Sequence, residues 1–531
     1  MSVKKQSLAG MAFLCASLCL SAQSFQTSIP PVENEKWWGG LVGLGNQMPF
    51  QATTPMYDLS KNNLNNQVVP LMISSEGRYV WSEQPFRFRF SGDTLLITSD
   101  YEKPQLVAAG TNLKEAYLSA SAKHFPPSGR IPEKLFFSEP QYNTWIELMY
   151  NQNQKDILQY ADQVIENNFP VGVFMVDDNW QKYYGNFDFK AEKFPDAKAM
   201  TDRLHQQGFK IMLWVCPFVS PDSPEYRELA AKGFLIKEKE SGLPAMIRWW
   251  NGVSACYDTT NPEAVAHYKK LLRETQEKYG IDGFKFDAGD VAYMTGSYEF
   301  FDKQANTNTF SEKWAEIGLD FPYNELRTSY KLGGKELVQR LGDKDYSWQA
   351  TSLLIPDMAA AGLLGHLYTC PDMIGGGQFG SFLNIDTDKF DQELIVRSCQ
   401  THALMPMMQF SVAPWRILDK KHLEICAKYA HLHQQMGDYI LGVAQEASRT
   451  GEPILRHMEY EFPHQGFTEC KDQFMLGDKY LVAPMVTKGN SRTVRLPKGT
   501  WLDDQGKKFR GPKTLTIDVP LERLPYYERI K

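Results

Sequence analysis

The chain has 531 residues, of which 43% are hydrophobic, 23% charged and 13% aromatic, with 12 Trp, 25 Tyr and 31 Phe. That length predicts roughly two to four domains, allowing for barrels and sandwiches of about 250 residues, and the composition excludes a disordered chain, a collagen-like fibre and a polytopic membrane protein. Because 57 Lys and Arg face 63 Asp and Glu, the net charge is −6, which leaves no basic excess to hold a phosphate backbone and excludes nucleic acid as the expected partner.

Residues 1–22 have the order of a secretory signal peptide: Lys4 and Lys5, an apolar run from Leu8 to Leu20, then Ser21-Ala22 before Gln23. The run is shorter than the roughly 20 residues that span hydrocarbon, and no later stretch is long and apolar enough. The expectation is therefore export, to the periplasm or the medium, with cleavage after Ala22 and no integral membrane segment. A lipid anchor through Cys15 or Cys19 stays open. Cys216, Cys256, Cys370, Cys399, Cys426 and Cys470 lack the paired spacings of a zinc site or a disulfide scaffold, so they read as small buried hydrophobes.

From 23 to 130, short alternating stretches such as Phe86-Arg87-Phe88-Arg89-Phe90, broken by Gly, Asn and Asp, predict an antiparallel β-sandwich. From 131 to 450, helical faces alternate with apolar strands. Ile157, Leu158, Ala161, Val164 and Ile165 precede the strand 171–176; a helix over 199–207 precedes 210–215; a helix over 262–279 precedes 283–287. This alternation predicts parallel strands with crossover helices, and the length suits a (β/α)8 TIM barrel with insertions. An open doubly wound sheet is the alternative, but no glycine-rich phosphate loop follows a strand. From 451 to 531 the pattern returns to β, as in Thr493-Val494-Arg495-Leu496, and predicts a C-terminal all-β domain built as a sandwich.

A barrel carries its chemistry at the carboxyl ends of its strands. Asp177-Asp178-Asn179-Trp180 ends one strand, Trp214 lies on the next, Lys285 and Asp287 on a third with Asp290 beyond, and Arg340-Leu341-Gly342-Asp343 forms a further cluster. Lys285 and Asp287 are two apart, so both project to one face of their strand, where the lysine keeps the carboxylate ionised. A lone aspartate is commonly a cap or turn residue; several at successive strand ends, beside tryptophans, point to a site. There are 10 His, none in a two-His zinc spacing, and no Gly-x-Ser-x-Gly elbow. Paired carboxyl groups flanking a sugar acetal are the equipment of glycoside hydrolysis, and surplus Trp suits stacking on sugar rings. No cofactor or metal is called for, and the expected partner is an oligosaccharide or glycoconjugate.

The segment Asp282-Gly283-Phe284-Lys285-Phe286-Asp287-Ala288-Gly289-Asp290 resembles the nucleophile strand of family 31 glycoside hydrolases. Arg327-Thr328-Ser329, followed by Asp343, is similar to the family stretch that begins with a sugar-binding Arg and ends with the acid/base Asp. Pro371-Asp372-Met373-Ile374-Gly375-Gly376, Met408-Gln409-Phe410-Ser411, Pro453-Ile454-Leu455-Arg456 and Gln473-Phe474-Met475-Leu476-Gly477 resemble later blocks in the family's order. The resemblance runs from about Ile131 to the C-terminus. It implies a β-sandwich, a (β/α)8 barrel and further β structure, with a retaining mechanism on terminal α-glycosides. Asp287 is implied as nucleophile and Asp343 as general acid/base, with Asp177, Asp178, Trp180, Trp214, Lys285, Arg327 and Asp372 as substrate contacts. Asp290, the fallback nucleophile, lies beyond Gly289 and is expected to face a loop. The Asp-Asp-Asn-Trp, Phe-Lys-Phe-Asp-Ala-Gly and Met-Gln-Phe-Ser wording departs from the α-glucosidase pattern and resembles the α-galactoside branch, which places α-galactosidase ahead of α-glucosidase. Two rival readings differ in class. A sugar-binding homologue without catalysis predicts a missing carboxylate, and both are present; a metal hydrolase would use Asp177, Asp178, Asp287 and Asp290 as oxygen ligands, which Lys285 opposes.

Overall fold

A computed structural model describes residues 24–383, 385 and 390–531. The expected signal segment, with Cys15 and Cys19, lies outside the described residues. The N-terminal portion forms two four-stranded antiparallel sheets. Phe25–Ile29, Thr94–Ser99, Arg87–Ser91 and Tyr57–Asp58 pair in that order in one; Trp37–Leu41, Val68–Ser74, Arg78–Trp81 and Gln105–Ala108 form the other. In Arg87–Ser91 the alternation predicted from sequence is realised, with Phe88 and Phe90 buried and Arg89 and Ser91 exposed. Val68–Ser74 is buried at every residue, which requires cover on both faces of its sheet.

The central sheet has eight parallel strands: β1 (Gln141–Asn143), β2 (Val173–Val176), β3 (Lys210–Val215), β4 (Gly283–Phe286), β5 (Tyr323–Leu326), β6 (Gln339–Arg340), β7 (Thr369–Cys370) and β8 (Gln409–Phe410). Their spatial order follows the chain from β1 to β7, and β8 pairs with β1. A hydrogen bond from the Ile374 N–H to the Gln409 carbonyl, 2.8 Å, joins the segment after β7 to β8. The helices predicted between strands are present. Pro262–Tyr279 begins where the Asn261 side chain accepts from the Glu263 N–H and proline occupies the first turn, the combination that starts a helix without losing a needed donor.

The last strands form one six-stranded antiparallel sheet, ordered Leu455–Arg456, Phe474–Leu476, Tyr480–Val482, Tyr526–Arg529, Ser491–Asp503 and Lys508–Asp518, and not two separate sheets. Arg397, on helix Gln392–Ala403 of the barrel, donates to the carbonyls of Gly489, Val519 and Arg523 and so ties this sheet to the barrel wall. All six cysteines from Cys216 to Cys470 are buried and unpaired.

Candidate active site

A cavity of about 740 Å³ opens at the carboxyl ends of the barrel strands. Its floor is set by strand alternation on β4. Phe284 and Phe286 face outward onto Phe321 and Trp314, with ring centroids 5.1 and 5.5 Å apart, so Lys285 and Asp287 face inward and line the cavity. Lys285 is 2% exposed, and its Nζ donates to Asp177 Oδ2 at 2.6 Å. Burial alone lowers a lysine pKa, but Asp177, Asp287 and Glu325 outweigh it and hold Lys285 charged. Lys285→Met therefore leaves Asp177 buried without its cation and should destabilise the fold by about 3–5 kcal/mol, the cost of breaking a buried pair from one side. The exposed pair Lys198–Asp202 is the control: Lys198→Ala should change the urea midpoint by an amount equivalent to about 0–1 kcal/mol.

Asp287 is bound on both oxygens. Oδ1 accepts from the Ala288 N–H at 2.9 Å and faces Arg327 Nε at 3.1 Å; Oδ2 accepts from Trp214 Nε1 at 2.8 Å. Burial opposes its ionisation, yet Arg327, Lys285, Arg340 and the Trp214 hydrogen bond together hold its pKa at about 2. Arg327 is itself fixed: an Nη donates to Asp290 Oδ2 at 2.6 Å and to the Tyr293 hydroxyl at 3.1 Å, while its guanidinium lies 4.7 Å from the Trp250 ring. Asp290 meets a loop, as expected, through Asn63, whose Nδ2 donates to its Oδ1 at 2.8 Å, but it is 1% exposed and paired with Arg327. The Ala288-Gly289 turn carries it back inside, a path that no local pattern specifies. Replacing Arg327 by Met removes the nearest cation from Asp287. The acid limb of any activity that needs the ionised carboxylate should then move up from about pH 2, and a pH–rate profile would register the shift.

Asp343 follows β6 and lines the same cavity. Its Oδ1 accepts from Arg340 Nη1 at 2.8 Å; that nitrogen also donates to Asp372 Oδ1 at 3.1 Å, and Arg340 Nε faces Glu325 Oε1 at 3.3 Å inside the barrel. Asp372, expected as a substrate contact, is fully buried and does not line the cavity. It accepts backbone N–H bonds from Met373, Lys344 and Gly377 and so pins the loop that presents Asp343. Burial and the charge of Asp343 raise its pKa. A Cβ on Gly377 would lie 2.6 Å from Asp372 Oδ1 and 2.9 Å from Asp343 Oδ1, so this close approach requires glycine.

Asp177, Asp178, Trp214, Lys285 and Arg327 all line the cavity; Trp180 does not. Trp180 is fully buried, its Nε1 donating to the Trp214 carbonyl at 2.8 Å and its ring packed 4.6 Å from Phe189. It braces the strand that carries Trp214: the chain turns at Asn179, which has positive φ, and the indole packs on Phe189 outside the cavity. Asp178 accepts from Asn251 Nδ2 at 2.7 Å and from the Tyr184 hydroxyl. Burial and the neighbouring Asp177 push its pKa up to about 7. Of the four carboxylates that a metal hydrolase would have to free, Asp177 and Asp290 each meet a cation at 2.6 Å.

Several cavity residues were not singled out in the sequence: Trp145, Tyr150, Trp250 and Phe379, together with Leu64 and Asn65 from the loop 59–67 between two N-terminal strands. Trp250 and Asn251 occupy the tip of the hairpin Ile247–Trp249/Gly252–Cys256, inserted between β3 and β4. Its turn is readable from Asn251-Gly252, but its destination is not. Gln67 Nε2 donates to the Arg327 and Arg340 carbonyls, and Asn66 Oδ1 accepts from the Gly342 N–H. The loop 59–67 of the N-terminal portion thereby braces the two strand ends that carry Arg327 and Asp343.

An ionised aspartate clamped by arginine, with a second aspartate on the same cavity at the mouth of a parallel barrel, is the carboxylate arrangement of barrel glycoside hydrolases. The chain belongs to glycosyl hydrolase family 31: the family's TIM-barrel domain matches residues 140–442 and its C-terminal domain residues 451–530. It is 32% identical over 425 residues to the myogenesis-regulating glycosidase of Mus musculus, covering 78% of this chain and 59% of that protein. It is 25% identical over 409 residues to an α-xylosidase of Emericella nidulans, covering 72% and 51%. The chain thus spans between about half and three-fifths of these relatives. In fold it is similar to a family 31 dextranase of Flavobacterium johnsoniae complexed with glucose, with TM-score 0.80 and 19% identity over 95% of this chain and 66% of that one.

Proposed function

We propose that this chain is a retaining α-glycosidase that releases a non-reducing terminal sugar, with Asp287 as nucleophile and Asp343 as general acid/base. The observation that carries the reading is Asp287 itself, held ionised and oriented on both oxygens within the cavity that Asp343 also lines. In the first step an Asp287 oxygen attacks the anomeric carbon from the face opposite the aglycone. The bond from that carbon to the leaving oxygen breaks, the Asp343 proton passes to that oxygen, and a β-glycosyl ester of Asp287 forms. In the second step Asp343 takes a proton from water, the resulting oxygen attacks the same carbon, and the ester bond breaks to return Asp287 as carboxylate. The sugar leaves with its α configuration retained. Arg327 and Trp214 hold the attacking carboxylate, and Lys285 pairs with Asp177 beside it.

The proposed glycone is α-galactose. It differs from glucose in an axial 4-hydroxyl, and a site built to pair with one epimer leaves buried polar groups unpaired with the other. The three places where this sequence leaves the α-glucosidase wording, at Asp177–Trp180, Phe284–Gly289 and Met408–Ser411, support the galactoside. The relatives named α-xylosidase and α-glucosidase supply the competing substrates. Measured kcat/KM on p-nitrophenyl α-galactoside should exceed that on the α-glucoside and α-xyloside. A tenfold preference for glucose, about 1.4 kcal/mol of transition-state discrimination, would overturn the sugar while leaving the mechanism in place.

A further inference from the structure

Asp178 is held by a group that none of the catalytic steps uses. At the hairpin tip, Asn251 Nδ2 donates to Asp178 Oδ2 and to the Tyr184 hydroxyl, each at 2.7 Å, and Asn251 Oδ1 accepts from the Tyr150 hydroxyl at 2.9 Å. The Tyr184 hydroxyl in turn lies 3.1 and 3.2 Å from the two Asp178 oxygens. One amide therefore ties together the segment after β2, the segment after β1 and the hairpin inserted after β3. Among the described residues the side-chain partners of Asp178 are neutral, since Lys285 is bonded to Asp177.

The barrel order decides which part of a sugar meets this cluster. Asp343 follows β6, Asp287 follows β4, Trp214 lies on β3 and Asp178 follows β2; β4, β3 and β2 are neighbours, and β5 separates β4 from β6. With the anomeric carbon at Asp287 and its leaving oxygen at Asp343, a ring lying across Trp214 would turn hydroxyls remote from the anomeric carbon toward Asp178, which lines the same cavity. A carboxylate offers about four acceptor positions. Tyr184 and Asn251 occupy some of them, and the direction of the remainder is what a hydroxyl of given stereochemistry must match.

We propose that Asn251 is a positioning residue that fixes Asp178, Tyr184 and Tyr150 relative to one another and thereby sets which pattern of 4- and 6-hydroxyls the site accepts. This rests on the α-glycosidase reading. The test is a set of kcat/KM values for the wild type, Asn251→Ala, Asn251→Asp and Tyr150→Phe. The substrates are the p-nitrophenyl α-glycoside that the wild type hydrolyses best and its 4-deoxy and 6-deoxy analogues. Asn251→Ala should lose roughly ten- to a hundredfold on the parent substrate, the worth of a hydrogen bond at a charged group. On the analogue lacking the hydroxyl that Asp178 accepts, it should stay within about threefold of wild type, as the cycle logic for coupled groups requires. Asn251→Asp, which turns the donor into a like charge, should lose more than Ala. Tyr150→Phe removes one hydroxyl from a half-exposed ring without disturbing packing and should show the same pattern at smaller size. Equal losses on all three substrates would mean that Asn251 only supports the hairpin, and would overturn the proposal. A wild type inactive on every α-glycoside would overturn the glycosidase reading itself, a result distinguished by being seen before any variant is made.

Discussion

Asp287→Asn should reduce kcat/KM by about 10⁴-fold or more, the scale on which covalent catalysis fails when its nucleophile is removed. The substitution is nearly isosteric, so the change is one of charge. The amide has no lone pair able to form the glycosyl ester, and its NH₂ meets either Arg327 Nε or Trp214 Nε1, both donors. Azide with an activated aryl α-glycoside should restore turnover in Asp287→Ala and give the β-glycosyl azide, because the anion enters from the face the carboxylate occupied. Near wild-type rates in either variant would refute the assignment. Stability provides a second readout. The folded-state pKa of Asp287 lies below its ordinary value of 3.8, at about 2, so its ionised form stabilises the protein above pH 3.8 and that stabilisation is lost as pH falls through about 2. The contribution is on the order of 2 kcal/mol. The unfolding free energies of wild type and Asp287→Asn should therefore converge between pH 4 and pH 2.

Asp343→Ala has the second largest expected effect, roughly 10²–10⁴-fold on substrates whose leaving oxygen must be protonated. Its signature is dependence on the leaving group. Glycosyl transfer to the enzyme from a dinitrophenyl glycoside, whose leaving group needs no proton, should be nearly untouched, while an oligosaccharide with a sugar alcohol as leaving group should suffer the full loss. Azide should accelerate the second step and give the α-glycosyl azide, since it enters after the ester has formed and from the opposite side. Formation of the β-azide by this variant would exchange the roles of the two aspartates. Arg340 bears on this outcome, because it faces Asp343, Asp372 and Glu325 at once. Removing Asp343 leaves that cation with two buried acidic partners, so the fold has reason to survive the substitution.

Much of this protein is local and therefore readable residue by residue. The two-residue spacing of Lys285 and Asp287 put both on the inner face of β4, because alternation is a property of any extended backbone. The Pro262–Tyr279 helix could be bounded from its cap and proline, since those groups act within one turn. The alternation of helices and apolar strands sufficed for a parallel barrel, and family blocks in order pointed to Asp287 and Asp343, which line one cavity. Tertiary structure decided the rest. It alone turned Asp290 inward onto Arg327, set Trp180 behind the wall instead of in the cavity, and withdrew Asp372 to hold the Asp343 loop. It brought Asn251 across 73 positions to Asp178 and Asn63 across 227 to Asp290. Period, capping and turn chemistry report the conformation of a few neighbouring residues, whereas the partner of a buried polar group is chosen by how distant segments close around it, to satisfy a donor or a charge that has been removed from water.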